Sequence, residues 1–196
     1  MPLSPYFSTA PDQVIQWVCD ARQCTFELVA DLSDAQLMGP MLPTINPLLW
    51  EIGHHAWFQS RWALRHAGGT PVRDNEDALY DSIAIAHDIR WDLPLPSRAD
   101  TLEYLRTVRD RTVGRLEHSP SAADIYHAVY ATLHEDMHTE AITYTRQTLG
   151  YAAPQLSIAP QKHSDSAAAG GGPLLGDAHI PGGTFMLGST AEEPFP

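Results

Sequence analysis

The sequence predicts an all-α protein, a four-helix bundle with one long crossover loop. Three observations predict it. Four segments place apolar residues at spacings of three and four, the period of a helix with one buried face. No segment before residue 180 sustains the alternation of a half-buried strand. Two of the three joins are short and one is long, a connectivity that four-helix bundles use. With 196 residues, 43% of them apolar, there is material for about one core and one domain. The core is expected from Trp17, Leu28, Leu49, Trp57, Leu105, Leu116, Val129, Leu133 and Ile142.

The first helix starts at Pro11, a residue suited to a first turn. Val14, Trp17, Val18, Ala21, Thr25, Leu28 and Val29 form its stripe, and it runs to about Leu32. Ser33 and Asp34 reset the chain, and Gly39, Pro40 and Pro43 break it. Asn46 and Pro47 read as the cap and first position of the second helix, which carries Leu48, Trp50, His54, Trp57 and Trp62 and stops at Gly68-Gly69. Residues 70–96, with Pro71, Pro94 and Pro96, read as the irregular crossover, with one helical turn near Ala78–Ser82. Connections of this length are usually functional. Ser97 to Asp100 resembles a capping box, and Leu102, Leu105, Val108, Arg109, Thr112 and Leu116 share one side of the third helix. The fourth starts at Ser119-Pro120 and reaches Leu149, with Gly150 as its stop, a span of about 45 Å.

These elements place a helical bundle at residues 1–151. Residues 152–179, centred on Ala167 to Gly172, have the composition of a flexible linker. Residues 180–196 read as a short strand-like tail that opens an incomplete second domain.

Composition narrows the function classes. The chain carries 24 acidic and 12 basic residues, a net charge of -12, which argues against a nucleic-acid partner. No apolar run approaches the length of a membrane span, and the start lacks the basic and apolar regions of an export signal, so a cytoplasmic location is expected. Cys19 and Cys24 point to different faces of one helix, which rules out a disulfide framework.

Ten histidines are the unusual feature. His134 and His138 lie four apart on a predicted helix, where two imidazoles share a face and can chelate one ion. The second helix offers His54 and His55, and one facing inward completes a three-nitrogen site with open coordination positions. Imidazole suits iron, zinc, nickel and copper alike, so the residue type leaves the metal open. Glu135 and Asp136 point away from the ligand direction. Glu51, three before His54, is the better carboxylate to orient a ligand from behind. Gly53 leaves room for a neighbouring helix, and His127 is expected to face water. In the crossover, the Arg90 guanidinium suits a substrate carboxylate, with Tyr80 and Asp81 as weaker candidates. Trp50, Trp57, Phe58 and Trp62 read as core.

Three ordered stretches carry a resemblance. Residues 46–58, Asn46 to Phe58 with Gly53-His54, resemble the first ligand motif of the ergothioneine-biosynthesis sulfoxide synthases. His134-Glu135-Asp136-Met137-His138-Thr139-Glu140-Ala141, followed by Tyr144 to Gly150, resembles their second. Ile180 to Gly188 resembles the opening of their C-terminal domain, which is similar to the formylglycine-generating enzyme. The resemblance covers roughly residues 10–150 and 178–196. It implies a DinB-like bundle with a non-heme iron(II) held by His54, His134 and His138, with His54 rather than His55 as the ligand. It also implies a dioxygen-dependent reaction that joins a thiol sulfur to the imidazole of hercynine with sulfoxidation. The stretch from Ala78 to Pro94 is closer to the selenoneine synthases, which use a selenium donor, and Arg90 best matches the arginines that hold the donor's carboxylates.

Two departures stand out. Met137 occupies the place where the family often has a Gln on the hercynine imidazole, and a thioether cannot reproduce an amide's hydrogen bond. The family's C-terminal domain supplies a catalytic tyrosine, and this sequence ends at Pro196 before it. Catalytic residues are therefore expected outside this sequence, in cis or on a separate chain, with little turnover from the bundle alone. Two other classes fit less well: a stand-alone DinB-like zinc or nickel thiol transferase or hydrolase, and a non-catalytic interaction module.

Overall fold

A computed structural model describes residues 9–157, 176–177 and 179–187. Its regular elements are all helical: α1 (Pro11–Val29), α2 (Asp34–Met38), α3 (Leu48–Gln59), α4 (Glu76–Tyr80), α5 (Arg98–Glu117) and α6 (Ala122–Thr148). A π-helical segment, Ser60–Leu64, continues α3, and a 3₁₀ turn, His87–Trp91, lies in the crossover. The four long helices form the expected bundle, in which α1 and α3 each pack against both α5 and α6. No helix among the described residues is long and apolar enough to cross a membrane.

The helix ends follow local chemistry. Ser97 and Ser121 accept hydrogen bonds from the backbone N–H groups of Asp100 and Asp124, satisfying donors of the first turns of α5 and α6. Ser33 makes a full capping box with Gln36 on α2. Asn46 does not cap α3: Pro47 occupies the cap position, and no side chain bonds the first turn. α6 begins at Ala122, later than Ser119-Pro120, and ends at Thr148; Leu149 caps it, and Gly150 follows with a φ of 67°, a conformation that glycine adopts without strain. The last carbonyls of α1 and the turn after it are held by Arg98, which donates to Val29, Ala30 and Leu32, and by Arg146, which donates to Leu28.

One core cluster joins Leu28, Trp50, Ile52, Trp57, Leu105 and Ile142; a second, at the other end, joins Val14, Val18, Leu116, Ile125 and Val129. Leu49 is only half-buried, and Trp17 and Leu133 are each 39% exposed, so these three are not core residues as expected. Both exposed residues sit at the edge of an apolar stripe, where period alone does not tell the inner side from the outer.

The crossover is less irregular than expected, because buried groups pin it. Glu76 is fully buried and accepts from Ser60 Oγ and Tyr104 Oη, each at 2.7 Å, and from the backbone of Val72 and Arg73. Trp91 donates its indole N–H to the Met38 carbonyl at 3.1 Å.

Residues 151–157 also differ from expectation. Their composition puts all but Tyr151 in the linker, but Tyr151 and Leu156 pack on the core and Ser157 bonds Glu27 at 2.8 Å through both its N–H and its hydroxyl. The rest of the linker lies almost wholly outside the described residues. Residues 179–187 form no strand, and Ile180, Phe185, Met186 and Leu187 are more than three-quarters exposed. A strand needs a partner for its backbone groups, and the described residues offer this segment none. Cys19 and Cys24 are free thiols.

Candidate metal centre

α3 and α6 bring His54, His134 and His138 together. One ring nitrogen from each lies within 4.8 Å of the others. His54 and His55 are adjacent on α3, and the His55 ring also lies 5.0 Å from that of His138, but it is His54 that groups with both histidines of α6. Its ring lies 5.1 Å from that of His134 and 5.0 Å from that of His138.

Hydrogen bonds define which nitrogens are free. The Tyr80 carbonyl lies 2.8 Å from His54 Nδ1 and can only accept, so Nδ1 carries the proton and Nε2 keeps its lone pair. The Glu51 carboxylate, 2.5 Å from His138 Nδ1, accepts the hydrogen bond of that nitrogen and turns Nε2 toward the cluster. His134 Nδ1 is buried without a hydrogen-bond partner. The Nε2 atoms of His134 and His138 lie 3.2 Å apart. Two nitrogens bound to one cation at about 2.1 Å would subtend an angle of about 100° at that separation, which falls among ordinary coordination angles.

Aromatic walls surround the cluster. Trp50 and Trp57 stack on His54 at 4.9 and 5.3 Å, and Phe58 lies flat on His134 at 3.5 Å. Burial, reinforced by the neighbouring His138, lowers His54 to about 4; burial with the neighbouring histidines lowers His134 to about 2. Both are neutral near pH 7, the state in which imidazole binds a metal. The donor set therefore fits a divalent transition ion.

Glu51 is buried, as an orienting carboxylate must be. Gly53 makes room for the Tyr80 ring rather than for a helix backbone. Tyr80 serves through its carbonyl, while its side chain is buried in the core. Asp81 bonds the backbone of Ile83 and Ala84 within its own loop. Arg90 lies over the Trp50 ring at 4.0 Å and donates to Asn46 Oδ1 at 2.6 Å. Met137 is 55% exposed and shares an outer face of α6 with Tyr130, Leu133 and Tyr144. His127 is half-buried, stacked beside Trp62 and 4.5 Å from the His66 ring, away from the histidine cluster. Glu135, set aside as a ligand, is buried in an ion pair with Arg22.

Sequence reasoning missed Asn46 and the Tyr80 carbonyl. No local signal marks either: Asn46 reads as a helix cap although it donates to Glu51 and accepts from Arg90, and the Tyr80 carbonyl acts on His54, distant in the chain. His55 was read only as the alternative to His54. It is fully buried with both ring nitrogens lacking a partner, and it lies near Glu51 and His138.

This architecture, with two facing helices converging histidines inside a four-helix bundle, is that of a DinB-like protein. The chain belongs to the DinB superfamily, which it matches over residues 18–148. It is also similar to the hercynine oxygenase of Mycobacterium tuberculosis, at 31% identity over 139 residues, covering 68% of this chain and 32% of that protein. The hercynine oxygenases of Mycolicibacterium thermoresistibile and Mycolicibacterium smegmatis are 31% and 28% identical over 135 and 176 residues. They cover 66% and 87% of this chain and 30% and 39% of their own. The chain thus spans about a third of the length of the curated relatives it matches.

Proposed function

We propose that this chain is the metal-binding part of an oxidoreductase that acts on hercynine, a non-heme iron(II), dioxygen-dependent enzyme forming a C–S (sulfoxide) or C–Se bond. The observation that carries this reading is the convergence of three imidazoles, two of them with Nδ1 held by a hydrogen-bond acceptor so that Nε2 is turned to the cluster. The similarity to hercynine oxygenases supports the substrate. His54, His134 and His138 hold the metal, which, when bound as iron(II), supplies the electrons for dioxygen chemistry. Three protein ligands leave positions for small molecules on the metal. Arg90 is the group assigned to a carboxylate of the sulfur or selenium donor; it is stacked on Trp50, with Nη1 on Asn46 and Nη2 on the Ser82 and Ile85 carbonyls, and a carboxylate would take over the long Nη2 bonds of 3.3 and 3.4 Å. Met137 leaves the hercynine imidazole without an amide partner at that position, and it bears on the substrate rather than on metal binding.

The remaining groups come from a further domain, in cis or in trans. An outer stripe on α6, Tyr126, Tyr130, Leu133, Met137 and Tyr144, is between 36% and 55% exposed and runs beside His134 and His138. Such a stripe suits burial under a second domain.

The test is metal content after anaerobic purification without a histidine tag. About one iron per chain is expected, lost in His54→Ala, His134→Ala and His138→Ala and kept in His55→Leu. Hercynine turnover with a thiol or selenium donor is then expected once the C-terminal part is supplied. Tight zinc or nickel instead would support a thiol transferase or hydrolase of the same fold. No metal after iron(II) reconstitution would sink the site.

A further inference from the structure

We propose that Asn46 and Glu51 act as positioning residues, a relay that fixes the His138 ring and ties it to Arg90 of the crossover. This inference rests on the metal reading above. Three hydrogen bonds make the relay. Arg90 Nη1 donates to Asn46 Oδ1 at 2.6 Å. Asn46 Nδ2 donates to Glu51 Oε2 at 2.6 Å. His138 Nδ1 donates to Glu51 Oε1 at 2.5 Å.

The chemistry selects these residue types. A guanidinium can only donate and a carboxylate can only accept, so the group between them must accept on one side and donate on the other. An amide does both. Aspartate at position 46 would set two carboxylates face to face, and alanine would leave both neighbours loose. Asn46 is free for this task because it does not cap α3.

Glu51 has little freedom either. It is 3% exposed, and both of its oxygens are engaged. A buried carboxylate needs donors and a nearby cation, and the amide brings Arg90 within reach to supply the charge. The His138 ring is thereby held with Nε2 aimed at His134, and no orientational freedom is left to lose when a cation binds. Removing such an orienting partner lowers metal affinity by about 10–100-fold.

The same atoms suggest a rival arrangement. Glu51, His55 and His138 also lie within 4.8 Å of one another, two histidines and a carboxylate. His138 cannot serve that set through Nδ1, because the short bond to Glu51 gives that nitrogen over to a proton, and its Nε2 is the atom that faces His134. The 2.5 Å separation is also tighter than the roughly 3 Å between two ligands of one cation at about 2.1 Å.

The experiment titrates the full chain anaerobically with iron(II), and with cobalt(II) as an optical probe of coordination. Variants are Glu51→Asp, Glu51→Gln and Asn46→Ala, with Asn46→Ser if the alanine variant fails to fold. Leu116→Ala, in the other core cluster, is the control for lost stability. Glu51→Asp keeps the charge but withdraws the carboxylate by one methylene. It should bind at least tenfold more weakly, with an altered cobalt spectrum. Asn46→Ala, which changes no charge, should bind several-fold more weakly. Leu116→Ala should melt earlier yet bind as the wild type does. Wild-type affinity in Glu51→Asp or in Asn46→Ala overturns the relay alone. Two cations per wild-type chain, the second lost in His55→Leu, overturns it in favour of the rival set. No binding by the wild type, or unchanged binding by His54→Ala, overturns the metal reading and the relay with it.

Discussion

Gly53 shows how a single position couples packing to the site. A Cβ at this position would lie 2.3 Å from a Tyr80 ring carbon, and the ring is walled in by core. Gly53→Ala should gain about 1 kcal/mol of helix propensity. It should lose more, because relieving such overpacking costs about 1–3 kcal/mol in a tight core. The Tyr80 carbonyl, which holds His54 Nδ1, must shift with its ring. Urea unfolding should therefore show a less stable protein, and iron(II) titration a weaker site; unchanged values in both would mean that Tyr80 yields freely. At this scale the histidines were legible because helical spacing alone pairs His134 with His138. Asn46 was not: Asn-Pro at a helix start is a cap signal, and it is Glu51 together with Arg90, far along the chain, that diverts the amide. Arg22 was equally hidden, since an arginine beside an apolar stripe reads as its solvent edge.

Among the elements, the crossover was the least legible. Its length and its prolines were readable, and so was a helical turn close to the observed α4. Its anchors were not, because each depends on a partner from another helix. Asp77 is the test case. It accepts from both terminal nitrogens of Arg65, at 2.6 and 3.0 Å, and from the Trp57 indole at 2.6 Å, so it fastens α4 to the end of α3. The Arg65 bonds are the main reason that its carboxyl titrates near 2 rather than 3.8; the indole adds to them and burial opposes them. A carboxyl lowered on folding stabilises the protein above its unfolded pKa, and that contribution fades as pH falls from 3.8 toward about 2. Asp77→Asn should be less stable than the wild type at pH 7, modestly so because the carboxylate is half exposed and screened. The gap should narrow through that acid window. Urea midpoints at pH 7, 4, 3 and 2 would check this, and a constant gap would place the effect in packing instead.

For the whole molecule, four helices and their order were legible from period and breaker residues. What joins them at the centre was not. Arg22 of α1 is fully buried and reaches the other three long helices: Glu135 of α6 at 2.7 and 2.9 Å, Gln59 of α3 at 3.0 Å, and the Leu105 carbonyl of α5. Thr25 adds a hydroxyl to Glu135 at 2.7 Å. Such a network contributes little net stability compared with apolar packing, because both charges leave water. Breaking it on one side is another matter. Glu135→Ala strands a guanidinium in the core and should cost about 3–5 kcal/mol, a large part of the total for a domain of ordinary stability. Arg22→Met should cost a comparable amount by stranding the carboxylate. The double variant, Arg22→Met with Glu135→Leu, removes both charges; Gln59 and the Leu105 carbonyl lose their bonds from Arg22, while Thr25 keeps its bond to the Ala21 carbonyl. It should unfold at a higher urea concentration than either single variant. Three unfolding curves decide the matter: if the two single losses simply add in the double variant, the charges act independently, and the pair is not what locks the four helices in register.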